Sequence, residues 1–196
     1  RVGITMSTEE IFDTDLGEPK DSTLAAIQRR VLWIAMYMVH HANNVRLSPD
    51  GSKVGGHQAS SASVVSIMTS LYFDHMRQGD RISIKPHASP TFHAIQYLLG
   101  RLDSTYLSEL RAFGGLQAYP SRSKDPDLVD FSTGSVGLGP VAPNFAALTE
   151  DYLHSHSNFK RGPKRRYISV VGDAELDEGS VSVSYTHLTL PTRALV

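Results

Sequence analysis

The run Arg166-Tyr167-Ile168-Ser169-Val170-Val171-Gly172-Asp173-Ala174-Glu175-Leu176-Asp177-Glu178-Gly179 ends a β-rich apolar segment abruptly in Gly-Asp, with further acids behind it. This is how a buried parallel strand delivers a carboxylate to the carboxyl end of a sheet, where open α/β folds bind ligands. A glycine at that point lets the backbone approach a ligand closely, and an Asp beside it can hold a hard cation such as Mg²⁺. Gly-Asp after a strand is also ordinary turn chemistry, so these residues alone read more readily as a helix cap or a plain turn.

Three upstream stretches have the same character: Gly55-Gly56-His57-Gln58-Ala59-Ser60, Pro86-His87-Ala88-Ser89-Pro90 and Gly134-Ser135-Val136-Gly137-Leu138-Gly139-Pro140. His57 follows two glycines that can bring the backbone close to a ligand. His87 follows a short segment, Arg81 to Lys85, in which charged and apolar residues alternate. Taken singly, either imidazole also reads as a loop His bonded to a carbonyl. The Gly134–Gly139 segment is a flexible loop opening a helix. It is no dinucleotide fingerprint, because its glycine spacing is wrong and no strand immediately precedes it; a simple helix-entry turn is its other reading.

In this order, and with the Gly172-Asp173-Ala174-Glu175 motif last, the four stretches resemble the N-terminal, diphosphate-binding domain of thiamine-diphosphate enzymes of the transketolase superfamily. Within that superfamily the likeness is to the homodimeric type of pyruvate dehydrogenase E1 component, and it runs from about Lys53 to Gly179. The resemblance implies an α/β fold with a parallel sheet, present here as an incomplete domain, and thiamine diphosphate with Mg²⁺ as cofactors. It implies Asp173 as the metal carboxylate, and Gly172, Ala174 and Glu175 as backbone around the diphosphate. Ser135, Val136, Gly137 and Leu138 would line the aminopyrimidine side, and His57 and His87 would be the catalytic histidines, assisting binding and proton movement. Ser89 would add a hydroxyl contact. This sequence has Ala174 where the motif usually has a third Gly, and Pro86 where a Gly commonly precedes the His.

The same resemblance implies the reaction and the partners. A small 2-oxo acid, pyruvate, would be decarboxylated and its acetyl group passed to a lipoyl-bearing acyltransferase. The site would be shared in a homodimer, with a further Asn metal ligand and the ionising Glu lying outside these residues. Two alternatives stay open: ketol transfer between sugar phosphates, as in a transketolase proper, and a non-catalytic relative that keeps the fold as an assembly module. Gly-Gly-His-Gln-Ala-Ser and Gly-Leu-Gly-Pro look more like the E1 group than like transketolase.

The elements that must position these residues are legible in outline. Leu24, Ile27, Val31, Ile34 and Met38 recur at helical spacing behind Ser22, which predicts a helix ending near Asn43-Asn44 with Arg29 and Arg30 on its outer side. Pro49 to Ser52 is a turn. Ser60 to Tyr72 is apolar nearly all round, which predicts a buried helix whose amino end faces the His57 loop. Ile82 and Ile84 predict a short strand, Thr91 to Leu99 a helix, and Ser104 caps a short helix ending near Ala112. Phe113 to Gly134 is a long Gly/Pro/Ser/Asp-rich connection, and such loops are usually functional or mobile. Gly139-Pro140 opens a helix running to about His154. His40, His41, His75, His93, His154 and His156 match no motif and read as helix-surface or satisfied core residues; Asp50 and Asp80 read as turn formers.

Bulk properties set the frame. The chain has 196 residues, 40% hydrophobic and 20% charged, enough for one domain with a core. A net charge of −1 gives no pull toward nucleic acid or anionic membrane. The basic run Lys160 to Arg166 lacks interleaved aromatics and reads as a solvated connector. No segment predicts a membrane span, and the chain has no cysteine; with no secretory signal visible, the expectation is a cytoplasmic protein without nucleic-acid or membrane partners. The chain divides into an irregular segment over 1–21, the partial domain over 22–182, and a tail over 183–196. Val183-Ser184-Tyr185-Thr186-His187-Leu188-Thr189-Leu190-Pro191-Thr192 matches the in-frame translation of a transposase-type sequencing adapter, so the tail is expected to be non-native. Arg1 in place of an initiator Met leads to the expectation of a cut start.

Overall fold

The computed structural model describes residues 22–48, 50–156, 165–184 and 186. The 1–21 segment, most of the basic run and most of the expected tail lie outside the described residues.

Helix α1 (Ser22–His40) forms where the apolar periodicity predicts it. It buries Val31, Ile34, Ala35, Met38 and Val39 and leaves Arg29 and Arg30 exposed. A wide π-type turn over His41–Val45 ends it, close to the expected Asn43-Asn44 boundary. The single helix expected over Ser60–Tyr72 is instead two, α2 (Gln58–Ser63) and α3 (Val65–Ser70), broken at Val64, whose φ of −108° and ψ of 0° interrupt the helix. Nor is it buried all round: Ile67 is 55% exposed, whereas Val65 and Met68 are buried. The apolar sequence pattern therefore overstates how much of this segment is covered by the described residues.

Strand β1 (Arg81–Ser83) and strand β2 (Tyr167–Ser169) pair in parallel, with Arg81 opposite Tyr167, Ile82 opposite Ile168 and Ser83 opposite Ser169. Period-2 alternation sorts the side chains of β1. Ile82 and Ile84 join the buried cluster of Val31, Met38, Met68, Phe92 and Ile95. Ser83 points the other way, toward helix α5 (Leu138–His156), which packs across both strands. Helix α4 (Ser89–Leu98) packs on α1 and is buried from Ser89 through Gln96. The mixed helical architecture with a small parallel sheet is of the α/β type expected.

Asp80 does more than form a turn. Its carboxylate accepts the Arg77 N–H at 2.8 Å and takes the Arg166 guanidinium through Nη2 at 2.6 Å and Nε at 3.1 Å. This pair clamps the amino ends of the two strands. On the open side of β1, Asp130 accepts the Ile82 N–H at 3.0 Å and the Arg81 Nη1 at 2.8 Å, so a side chain covers an edge that would otherwise be bare. The expected short helix at Ser104 is a 3₁₀ turn over Ser104–Ser108, and its cap is Asp103, whose Oδ1 accepts the Thr105 N–H at 2.9 Å. Asp103 is the stronger cap because its carboxylate is a charged acceptor. Helix α6 (Gly179–Val183) follows the acidic turn.

Candidate functional site

The carboxyl ends of β1 and β2 lie side by side, and the chain leaving each carries motif residues. After β1 the chain makes a 3₁₀ turn, Pro86–Ala88, that presents His87. Pro86 sits at the first position of that turn, where a missing N–H is harmless, so Pro in place of Gly is compatible with the geometry. After β2, Gly172 leads into a 3₁₀ turn over Asp173–Asp177. Asp173 is exposed on it, and Glu175 is only 6% exposed.

His57 stands just before α2, on a loop fixed from both sides. Asn43 brackets Gly55 like a strand partner, its Oδ1 accepting the Gly55 N–H and its Nδ2 donating to the Gly55 carbonyl, both at 2.9 Å. Gly56, at φ +135°, passes so close to α1 that a Cβ there would lie 2.9 Å from Val39. The glycine is needed for packing the loop onto the helix, as well as for any approach to a ligand. Arg111, itself at φ +56°, donates to the Val54 carbonyl at 2.6 Å and ties the same loop to the next layer.

The result is that His57 and His87, 30 residues apart in sequence, meet with ring centres 4.3 Å apart. His87 Nε2 lies 3.3 Å from the Tyr119 hydroxyl, which in turn lies 3.5 Å from Ser135 Oγ. A polar line therefore runs from His57 through His87 and Tyr119 to the Gly134–Gly139 loop. Burial holds the His87 pKa below its ordinary value, and positive charge on His57, Lys85 and Arg111 pushes it the same way. His87 is thus a neutral imidazole near pH 7, able to accept a proton. Ser89 does not face this line; its hydroxyl donates to the Ala118 carbonyl at 3.0 Å and holds the Tyr119 segment in place.

Gly137 has φ +81°, and a Cβ there would lie 2.8–2.9 Å from Glu178, Ser180 and Val181. The loop before α5 is thereby pressed onto the segment after the acidic turn. Gly137 itself is buried, while Val136 and Leu138 are 58% and 48% exposed and Ser135 is half-buried. The acidic turn holds Glu175 inward: its Oε2 accepts the Gly172 N–H at 3.2 Å, and its own N–H donates to the Gly172 carbonyl at 3.1 Å. The Glu175 amide expected to face a diphosphate is therefore engaged within the turn. Glu175 Oε1 and Ser83 Oγ are buried without a hydrogen-bond partner among the described residues, and both side chains lie close to Gly139. Orphaned buried oxygens at this crevice are the kind of group that a ligand or ordered water satisfies.

Among the described residues no group of three or more His, Asp or Glu side chains forms a metal cage. Asp173, the first residue of the turn after β2, offers an exposed carboxylate, and Asp177 at the end of that turn is exposed as well. That donor set suits a Mg²⁺ ion taking most of its oxygens from a phosphate ligand and water, and does not suit a metal held by protein alone.

No family model matches the chain. Over 159 residues it is 35% identical to the pyruvate dehydrogenase E1 component of Mycolicibacterium smegmatis, a match covering 76% of this chain and 16% of that protein. It is 33% identical over 171 residues to the E1 component of Pseudomonas aeruginosa, covering 81% of this chain and 19% of the relative. Against the Escherichia coli K12 protein it is 30% identical over 161 residues, or 78% and 18%. The chain resembles the pyruvate dehydrogenase E1 component. It spans 16% to 19% of the length of these E1 relatives.

Three residues at this E1-like site were not singled out by sequence. Tyr119 lies in the long connection and carries no motif; the only signal was the length of that loop. Lys85 falls in a segment whose alternation predicts strand, and Arg111 near the end of the short helix predicted after Ser104. Of the unassigned histidines, which read as helix-surface or satisfied core residues, His93 is fully buried with its Nδ1 2.7 Å from Asp127 Oδ2, while its Nε2 has no partner among the described residues.

Proposed function

We propose that these residues form the diphosphate-binding part of a thiamine-diphosphate-dependent 2-oxo acid dehydrogenase of the pyruvate dehydrogenase E1 type. The observation that carries the reading is the convergence, at the carboxyl ends of two parallel strands, of His57, His87, the Ser135–Leu138 loop and the Gly172–Asp173 turn, in a chain similar to E1 components.

The residues present fit thiamine diphosphate. Asp173 would hold Mg²⁺ together with phosphate oxygens, and the backbone at Gly172 and Ala174 would border the diphosphate. Ser135, Val136, Gly137 and Leu138 would border the aminopyrimidine. When bound, the cofactor would supply carbanion chemistry, an electron sink suited to decarboxylating a 2-oxo acid. The chain's own contribution is binding and proton handling. Neutral His87 is able to accept or return a proton, and the Tyr119 hydroxyl, 3.3 Å from its Nε2, fixes the ring. His57 offers a second imidazole within reach of the same reacting group. Pyruvate as substrate, a lipoyl-bearing acyltransferase as acceptor, a homodimer that completes the site and a cytoplasmic location are parts of the same proposal. No described helix is long and apolar enough to cross a membrane.

The test is Mg²⁺-dependent binding of thiamine diphosphate by the intact protein, compared with Asp173→Ala. Saturable binding in the wild type that the substitution abolishes, with an unchanged fold by circular dichroism, is the expected result. Equal affinity in both would remove Asp173 from the metal site. No binding in either would leave the fold without this cofactor and favour a non-catalytic role.

A further inference from the structure

Resting on that cofactor reading, we infer that Lys85 is a direct ligand of the cofactor's diphosphate, supplying a positive charge at the mouth of the Gly172–Asp173 turn. Lys85 leaves β1 just before the His87 turn and is half-buried. Its side chain crosses to the neighbouring strand end. A Cβ built on Gly172 would lie 3.3 Å from Lys85 Cε, 3.7 Å from Cδ and 3.9 Å from Nζ. The lysine stem therefore packs on the bare face of the glycine, and the ammonium is delivered to the turn that begins with Asp173. Any side chain at position 172 would push it away.

That ammonium has no ion-pair partner among the described residues. None of the three acids on the turn pairs with it: Glu175 is folded inward onto the Gly172 N–H, and Asp173 and Asp177 are exposed. A partly buried cation without a counter-ion is an unfavourable arrangement that an anion would relieve. The surroundings point the same way. Lys85 and Arg111 both lie close enough to His87 to act on it as positive neighbours. An ammonium is a mobile point charge that suits phosphate oxygens, and it would bind those oxygens that Mg²⁺ on Asp173 does not.

A 2-oxo acid also carries an anion, so the experiment separates the two sources. Thiamine diphosphate binding with Mg²⁺ is measured by calorimetry on the intact protein, with inorganic pyrophosphate as competitor. Wild type is compared with Lys85→Met, which keeps the packing stem, and Lys85→Arg, which keeps the charge. Expected are a loss of about tenfold in affinity for both ligands in Lys85→Met and retention of most of it in Lys85→Arg. Unchanged cofactor affinity with a raised KM for the 2-oxo acid would assign Lys85 to the substrate carboxylate and overturn the inference. A lowered melting temperature with unchanged affinity would make Lys85 structural and overturn it too. A wild type that binds no thiamine diphosphate would overturn the cofactor reading itself, and this inference with it.

Discussion

The imidazole rings of His57 and His87 stand 4.3 Å apart, centre to centre, and are tilted by 45° to each other. Each ring is delivered by a separate loop, one pinned to α1 by Asn43 and Gly56, the other set by the turn after β1. The two rings are in direct contact, so a change at one alters the surroundings of the other.

That pairing makes the two substitutions non-additive. In the intact protein, His57→Ala is expected to slow turnover by about 10²-fold or more while changing cofactor affinity little, in the range of acid–base catalysis. The double variant His57→Ala/His87→Ala should be slower than wild type by much less than the product of the single effects, because residues in contact couple. Steady-state kinetics of the four proteins, with cofactor affinity measured alongside, checks this. Wild-type turnover in His57→Ala would reduce that residue to loop structure, and strict additivity would separate the two roles.

The lowered pKa of His87 makes a second measurement decisive. Burial is the main cause, followed by positive charge on His57, Lys85 and Arg111. Below the unfolded value of about 6.5 the unfolded chain binds this proton more readily than the folded one. Stability from this group is therefore complete above that pH and declines as pH falls through the unfolded value toward the folded one. His87→Gln should flatten the stability profile in that window. In a ring-proton NMR titration, His87 should move toward its ordinary value in Lys85→Met. A His87 titration at or above 6.5 in the wild type would contradict the geometry.

Asp80 and Arg166 carry a separate prediction about the sheet. Their contacts hold the strand ends opposite the site, and Arg166 brings the Asp80 pKa down from 3.8 to about 2. The sign is the reverse of His87: the contribution is present above pH 3.8 and is lost as pH falls toward 2. Asp80→Asn removes a charged acceptor from Arg166 and the Arg77 N–H, and is expected to lower stability by about 2 kcal/mol at neutral pH. Denaturant melts at pH 7 and pH 3 should show the difference between wild type and variant shrinking in acid.

Much of this was readable from residue order, and the reasons it stopped short are physical. Helix α1 was visible because Val31, Ile34 and Met38 share one buried stripe. The two strands are legible from the alternation at Ile82 and Ile84 and from the apolar Tyr167–Val171 run, but their side-by-side pairing is seen only in the structure. Asp103 took the capping place expected for Ser104, because adjacent cap-forming residues compete and a charged acceptor wins. The break at Val64 left no mark, since Ser60 to Tyr72 has neither Gly nor Pro in it. Within the site, the motif histidines could be named, but their contact could not. It arises from the Asn43–Gly55 bracket and the close passage of Gly56 over Val39, which are tertiary facts. Tyr119 and Lys85 were missed for a related reason: neither sits in a pattern, and each matters only because the fold swings it onto a neighbour.

The long connection over residues 113–134 provides the last prediction, because a buried pair anchors it. His93 on α4 and Asp127 on the connection meet at 2.7 Å with both side chains fully buried. Asp125 helps from nearby, accepting the Gln117 and Ser121 N–H groups at 2.7 and 2.6 Å. Tyr119 lies within this span, so the ring that steadies His87 depends on the anchor. His93→Leu would strand the Asp127 carboxylate in the interior, and breaking such a pair costs about 3–5 kcal/mol. Replacing both, as His93→Leu/Asp127→Leu, should recover a large part of that loss, since an apolar pair leaves no buried charge. Hydrogen exchange should report faster amide exchange between Gln117 and Ser135 in the single variant than in wild type, with turnover falling in step as Tyr119 loosens. A single variant as stable as wild type, with unchanged exchange in that span, would show that the connection is held by Leu116, Val129 and the Asp125 bonds without the His93–Asp127 pair.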